Sequence, residues 1–432
     1  MGLFGLLGTG NIGNDASMEA VLAYLRADHP GAVIDAMCPG PERLTSAYGI
    51  DATQLHWHQR FERKAGQAGP RRGTAWRNAA RQARGAGVLT LARKTLGIGV
   101  GMGMDAVRTA SWVARHDLVI VPGMGALEAT LPVRPWETPY RMFLMSASGR
   151  LLRTRVAFVS VGANLISQRT TRWLFDNAAR LASYRSFRDE ASKNAMRERR
   201  VDVSRDRVFP DLVFALPIPD APPGDPQTVG IGVMAYSGGN DDREQADNIY
   251  AAYISKITSF VAWLTDTGRD VRLVVGDRGD NSAVQDIMTG LYASRPQLDP
   301  ARVTAEPVSS FADLTRALAA VSIVVATRYH NVMCALKLGK PTISIGYAAK
   351  NEALMTAAGL GEFCQSASGL DVDLLIKQFT DLEGRAEMLR GGVMASNAEN
   401  LELLDEQFAL LSARLLRDRK RTPISNSPGT RP

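Results

Sequence analysis

Ser322-Ile-Val-Val-Ala-Thr-Arg-Tyr-His-Asn-Val-Met-Cys-Ala-Leu-Lys-Leu-Gly-Lys-Pro-Thr-Ile-Ser-Ile-Gly-Tyr347 is the stretch on which the fold reading turns. Ser322–Ala326 is apolar and β-branched enough for a buried strand. Thr327, Arg328 and His330 follow at its carboxyl end. Helical spacing starts near Asn331, with Gly339 at the C′ position and Pro341 just beyond it. Thr342–Ile345 then reads as the next strand. Strand, helix and strand joined by short turns form the βαβ unit of a parallel sheet. Open sheets of this kind bind ligands beyond their strand carboxyl ends, which is where Arg328 and His330 fall.

The same rhythm extends to either side. Leu3–Leu7 predicts a first strand, ending in Gly8-Thr-Gly-Asn-Ile-Gly-Asn-Asp15. Helical spacing follows at Met18, Val21, Leu22 and Leu25, with Asn14 or Asp15 as the expected N-cap. Asp117–Val121 is a further buried strand with the turn Pro122-Gly-Met-Gly-Ala126, and Arg155–Val161 is another. A break comes at Leu216-Pro-Ile-Pro-Asp-Ala-Pro-Pro-Gly-Asp-Pro226, where five prolines in eleven residues exclude a helix interior or central strand. After it come a strand at Val229–Ala235, a helix at Ile249–Leu264 and a strand at Arg272–Val275. The expected domains are 1–215, a linker 216–228, and 229–397. A terminal helix at 398–416 packs back on the first domain, and 417–432 is a disordered tail. The fold class is α/β, with two Rossmann-like domains facing a cleft, the GT-B arrangement.

Length and composition agree with two soluble domains: 432 residues, 45% apolar and 22% charged. Cys38, Cys334 and Cys364 are far apart and form no metal-ligand spacing, so neither a disulfide framework nor a metal site is expected. The first fifteen residues lack a basic leader region, and no run of about 18 apolar residues occurs. A cytoplasmic protein is expected. The net charge of +7 is unevenly spread: residues 59–95 hold ten Arg or Lys and one acid, Glu62. That segment reads either as a solvated basic face or, because Trp57, Trp76, Leu89 and Leu91 interleave with the cations, as a surface that meets a polyanionic substrate or makes a peripheral contact with anionic membrane at the inner face of the plasma membrane. No nucleic-acid motif accompanies the charge.

Three constellations carry the chemistry. Arg328 offers a planar fork for phosphate or carboxylate, and His330 a proton carrier, on a helix start that favours anions. The competing role for this pair is a structural ion pair and a satisfied helix cap. The early turn brings Gly10, Asn11, Gly13, Asn14 and Asp15. Its glycines permit close backbone approach to a ligand, and its asparagines suit either sugar hydroxyls or turn formation. Gly123 and Gly125 form a second turn on the same sheet edge. The third constellation is Ser183-Tyr-Arg-Ser-Phe-Arg-Asp-Glu-Ala-Ser192. Here Asp189 and Glu190 fit a helix start, and Arg188 is a second cation. Asn331, Tyr347 and Lys350 complete the substrate-binding candidates.

Together these segments resemble the polysaccharide pyruvyl transferase family. The matching pieces are the early Gly-Asn-Ile-Gly-Asn-Asp turn, Val121-Pro-Gly-Met-Gly-Ala-Leu127, Ser186-Phe-Arg-Asp-Glu-Ala-Ser192, and Arg328-Tyr-His330 with Ala335–Ile343. Two departures stand out. Met124 occupies the centre of a turn that is often Gly-Gly-Gly and is expected to narrow the pocket, and Gly13-Asn14-Asp15 replaces a commoner Gly-Asp. The resemblance implies transfer of a pyruvyl group from phosphoenolpyruvate to a sugar of a cell-surface glycan or its precursor, forming a ketal. The acceptor is a glycan, with lipid-linked, nucleotide-linked and polymeric forms all open. No cofactor is implied beyond the donor substrate. Arg328 and Arg188 are expected to hold the donor's two anionic groups, one from each domain, and His330 to act as general acid/base. The alternatives are a GT-B glycosyltransferase using a nucleotide sugar, and a non-catalytic glycan-assembly protein of the same fold.

Overall fold

The structure is a computed structural model. It describes residues 1–55, 88–129, 133–218, 224–239, 242 and 244–416, the side chains of 88–100 excepted. The tail 417–432, the linker residues 219–223 and nearly all of the basic segment 59–95 lie outside the described residues.

The first domain is a seven-stranded, wholly parallel sheet in the order β3-β2-β1-β4-β5-β6-β7. Its strands are β1 (Gly2–Phe4), β2 (Asp35–Cys38), β3 (Asp51–Gln54), β4 (Leu118–Pro122), β5 (Arg155–Val161), β6 (Tyr184–Phe187) and β7 (Arg207–Val208). Helices α1 (Ile12–Asp28), α2 (Pro41–Tyr48), α3 (Val88–Val113), α4 (Thr138–Leu152), α5 (Arg169–Leu181) and α6 (Glu190–Glu198) connect them. Every residue of β4 is buried, as a strand covered by helices on both faces requires. Phe4, Phe158 and Trp112 are closed off from solvent, and each such side chain contributes about 1.5–3 kcal/mol by burial.

The second sheet has six parallel strands in the order β10-β9-β8-β11-β12-β13. They are β8 (Asp225–Val233), β9 (Asp270–Val275), β10 (Val303–Ala305), β11 (Val321–Ala326), β12 (Thr342–Gly346) and β13 (Cys364–Ser366). Their helices are α7 (Ala246–Asp266), α8 (Asn281–Ser294), α9 (Phe311–Ala319), α10 (Tyr329–Lys337), α11 (Ala349–Ala357) and α12 (Val372–Gly384), followed by the long α13 (Ala386–Leu411).

Two expectations are corrected. β8 begins at Asp225 rather than Val229, so the linker is shorter than its proline content implied. Pro226 is tolerated because the β8–β11 register shifts between Val321 and Ile323, an irregularity at which a strand can lack a donor. The last helix begins at Ala386 rather than Ala398, and it does return to the first domain. Phe408 stacks on Tyr24 with centroids 4.4 Å apart, and Gln407 bonds the hydroxyls of Ser160 and Ser186. Ser160 has a φ of 50°, in the left-handed region, at the shift in the β5–β6 register. Gln407 therefore closes a bulge in the first sheet.

Strand order reverses between β1 and β4 in one sheet and between β8 and β11 in the other. Each reversal opens a crevice beyond the strand ends. Both glycine turns stand at the first crevice, and Arg328 and His330 stand at the second. Among the described residues no helix is long and apolar enough to cross a membrane.

Candidate active site

The turn after β1 is held by its own side chains. Asp15 accepts the Gly8 N–H at 2.7 Å, Asn11 caps α1 by accepting the Asn14 N–H at 3.1 Å, and Asn14 donates to the Leu6 carbonyl at 3.2 Å. The α1 cap is thus Asn11, not Asn14 or Asp15. Asp15 is buried as a brace of the turn. Burial raises its pKa, against the opposing pull of the Gly8 N–H and Arg43. Gly8 and Gly10 have φ of 68° and 98°, which only glycine adopts without strain.

This turn docks on the second domain. Ile12 N–H donates to Gly276 O at 3.2 Å, and Arg278 N–H to Gly10 O at 3.4 Å. The imidazole of His330 lies against Gly13, where a Cβ would fall inside the ring. His330 is in the first turn of α10, whose N-terminus receives no side-chain cap. Arg328, the N-cap residue, turns its guanidinium to Asp280 instead. Nε and Nη2 each donate to that carboxylate at 2.7 Å, and Asp280 also accepts the Ala235 N–H. Asp280 is closed off from solvent, so one edge of Arg328 is committed to a structural pair. Asn331 is equally closed off, its side chain set between Gly232 and Gly276.

The residue that the sequence reading missed is Glu128. It accepts from Arg188 of its own domain and from Lys350 of the other at 3.0 Å. Arg188 is buried, has Asp189 and Asp211 at 3.5 and 3.7 Å, and lies 4.6 Å over the ring of Tyr329. A Cβ on Gly162 would collide with both members of the Arg188–Glu128 pair, which explains the glycine after β5. Burial alone would raise the Glu128 pKa, but Lys350 and Arg188 outweigh it and hold the carboxyl at about 2. Lys350 lies 5.5 Å from the ring centroid of Tyr329 and 5.7 Å from that of Tyr347, which brings Tyr347 into the cluster.

His330 takes its character from the same cations. Burial first, then Arg188, Lys350 and Arg328, push its pKa down to about 3, and its Nε2 is buried with no partner. The imidazole is therefore neutral throughout the physiological range and a weak proton acceptor on its own. An anion arriving among the three cations would raise its proton affinity.

Elsewhere the turns are structural. A Cβ on Gly123 would meet Ser17 at 2.7 Å, so this turn packs on α1, and Gly125 lies beneath Glu128. Met124 does not narrow a pocket. Its side chain is buried in the core against Gly5. Asp189 caps α6 by accepting the Ser192 N–H at 2.6 Å. On the α13 side of the cleft a cavity of about 640 Å³ opens, walled by Phe209, Phe214, Leu354 and Leu403, with Arg188 and Lys350 at its ionic end.

Comparison with known proteins adds a family and a fold. The family model described as polysaccharide pyruvyl transferase matches residues 11–348. No curated protein matches the sequence. Among solved structures, a putative UDP-N-acetylglucosamine 2-epimerase from Listeria monocytogenes aligns with a TM-score of 0.58 at 13% identity, covering 97% of this chain and 98% of that one. A UDP-GlcNAc 2-epimerase from Neisseria meningitidis, bound to UDP-GlcNAc, gives 0.56 at 13% identity over 97% and 100%. A glycosyltransferase from Rickettsia africae gives 0.54 at 10% identity over 96% and 98%. At these identities the likeness is one of fold, and the fold is GT-B.

Proposed function

The chain belongs to the polysaccharide pyruvyl transferase family, a transferase of polysaccharide biosynthesis, and from that premise we propose that it moves a pyruvyl group from phosphoenolpyruvate to a sugar, forming a ketal. The observation that carries this reading is the imidazole of His330, its Nε2 buried without a partner, set on an uncapped helix N-terminus in the field of Arg188, Lys350 and Arg328. A donor with both a phosphate and a carboxylate suits that field.

In the reaction, C3 of the enol gains a proton and C2 becomes cationic. One sugar hydroxyl adds to C2 and gives up its proton; inorganic phosphate leaves, and the second hydroxyl closes the ketal with loss of another proton. His330, neutral before the donor binds, takes up a proton from solvent as the bound anion raises its pKa and delivers it to C3. The imidazole, neutral again, then accepts the proton of the adding hydroxyl, a role worth about 10²–10⁴ in rate. Lys350 replaces Arg328 as the main cation from the second domain, since Arg328 is tied to Asp280, and Arg188 supplies the first-domain charge. Gly10, Asn11 and Gly13 offer backbone and not side chains. Contact between the two crevices keeps water from the C2 cation. The acceptor is a glycan or its precursor, and the reaction is cytoplasmic.

Calorimetric titration with phosphoenolpyruvate, UDP-glucose and phosphate tests the reading. Saturable binding of phosphoenolpyruvate, weakened in Lys350→Ala, is expected. Binding of UDP-glucose with none of phosphoenolpyruvate overturns it in favour of a nucleotide-sugar glycosyltransferase.

A further inference from the structure

Helices α3, α4 and α5 pack side by side on one face of the first sheet, as right-handed crossovers from β3 to β6 require. Seven of the thirteen large hydrophobic side chains exposed among the described residues belong to this layer and its loops: Met104, Val107, Trp136, Leu151, Leu152, Leu165 and Trp173. Trp136 and Trp173 stand at the upper end of the layer, where α4 and α5 begin, and Leu165 lies in the loop entering α5. Trp173 is 55% exposed yet rests on Phe143, centroids 5.3 Å apart, so it is held outward on a firm base.

The charge here is one-sided. Residues 133–182 contain eight arginines and two acids. Of the acids, Asp176 is buried against Arg199, and Glu137 is partly buried and holds the Arg134 N–H. Arg134, Arg150, Arg153, Arg169, Arg172 and Arg180 are all exposed. Tryptophans with aliphatic neighbours, ringed by arginine and nearly free of exposed acid, suit the boundary between acyl chains and anionic headgroups.

We propose that the α4–α5 rim docks on an anionic lipid surface, with Trp136, Leu165 and Trp173 entering the headgroup boundary and Arg169 and Arg172 meeting its charge. The rim borders the cleft, because its loops leave the carboxyl ends of β4 and β5 as Glu128 and Gly162 do. A membrane-docked chain would thus face its active site toward substrates carried by lipid. The inference is independent of the donor's identity and of the basic segment 59–95.

Flotation of the full chain with phosphatidylcholine vesicles, with and without phosphatidylglycerol, tests it. Wild type is expected to float only with the anionic vesicles. Trp136→Ser/Trp173→Ser and Arg169→Glu/Arg172→Glu should each lower partition by about ten-fold or more while keeping the wild-type melting temperature. Absence of wild-type flotation overturns the proposal. Flotation undiminished in both double variants also overturns it and moves attachment to residues 59–95. Light scattering that finds a dimer broken by Trp173→Ser makes the rim a contact between copies of this chain, and likewise overturns it.

Discussion

His330 and Gly13 come from opposite domains, and the imidazole of one lies on the bare Cα of the other. The contact leaves no room for a methyl group, because both residues are held by their own helix starts. Gly13→Ala must therefore push the crevices apart or turn the ring. We expect a loss of about 1–3 kcal/mol in stability or a wider cleft by small-angle scattering. With either, kcat/KM for pyruvyl transfer should fall about 10²-fold, as a misplaced proton carrier implies. Wild-type kinetics in Gly13→Ala would remove the contact from the mechanism.

The depressed His330 pKa predicts a pH dependence with a definite sign. Unfolded, the imidazole takes up a proton below about pH 6.5; folded, it does so only below about 3. Between those values the unfolded chain holds the extra proton, so stability is lost as pH falls through the window. Glu128 adds a similar loss, but only below its unfolded value near 4.5. Urea unfolding between roughly pH 7 and pH 5 should thus show a smaller decline in His330→Gln than in wild type. Equal declines would contradict the assignment.

Anion binding should also be accompanied by proton uptake. Phosphoenolpyruvate bound as proposed, among Arg188, Lys350 and Arg328, would offset the cations that, after burial, hold His330 neutral. Calorimetry in two buffers of different ionisation enthalpy, near pH 6, should give a net proton gain in wild type that His330→Gln abolishes. Identical heats in the two buffers would oppose this.

Glu128 and Lys350 should separate stability from binding. Glu128→Ala leaves Arg188 buried beside only Asp189 and Asp211, and we expect it to cost about 3–5 kcal/mol. Lys350→Ala leaves Glu128 paired with Arg188, so its stability change should be about 1 kcal/mol or less while donor affinity falls about ten-fold or more. A Lys350 variant with wild-type affinity would take that residue out of the site.

Asp280 and Arg328 form the fifth test. Asp280→Asn keeps the shape but removes the charge facing two guanidinium bonds. A clear fall in melting temperature is expected, together with weaker donor binding as the turn bearing His330 loosens. Unchanged thermal unfolding would deny the pair its structural role.

Much of this site was legible in the residues. A buried strand ending in Thr327-Arg-Tyr-His330, and a first strand ending in glycines, locate two sheet edges because strand periodicity and turn chemistry are local. What joins the edges was not legible. Glu128 binds partners 60 and 222 positions away, and no local pattern marks an isolated glutamate as their meeting point. Arg328 looked free because Asp280 belongs to the turn after a different strand. Asn331 looked available because its sequence neighbours are catalytic candidates, yet it points down between two glycines. Pro226 suggested a longer linker because the register shift that admits it depends on β11, almost a hundred residues later.

The closure of the Ser160 bulge by Gln407 bears on how the chain matures as it is made. Those two residues are 247 positions apart, so the first sheet can assemble its strands on the ribosome but cannot lock its β5–β6 edge until Gln407 has been made. The emerging first half must wait, incomplete, through the translation of an entire second domain. A stall or premature stop after residue 385 would release both sheets without their clasp, and such truncated chains should be recognised by proteases as unfinished.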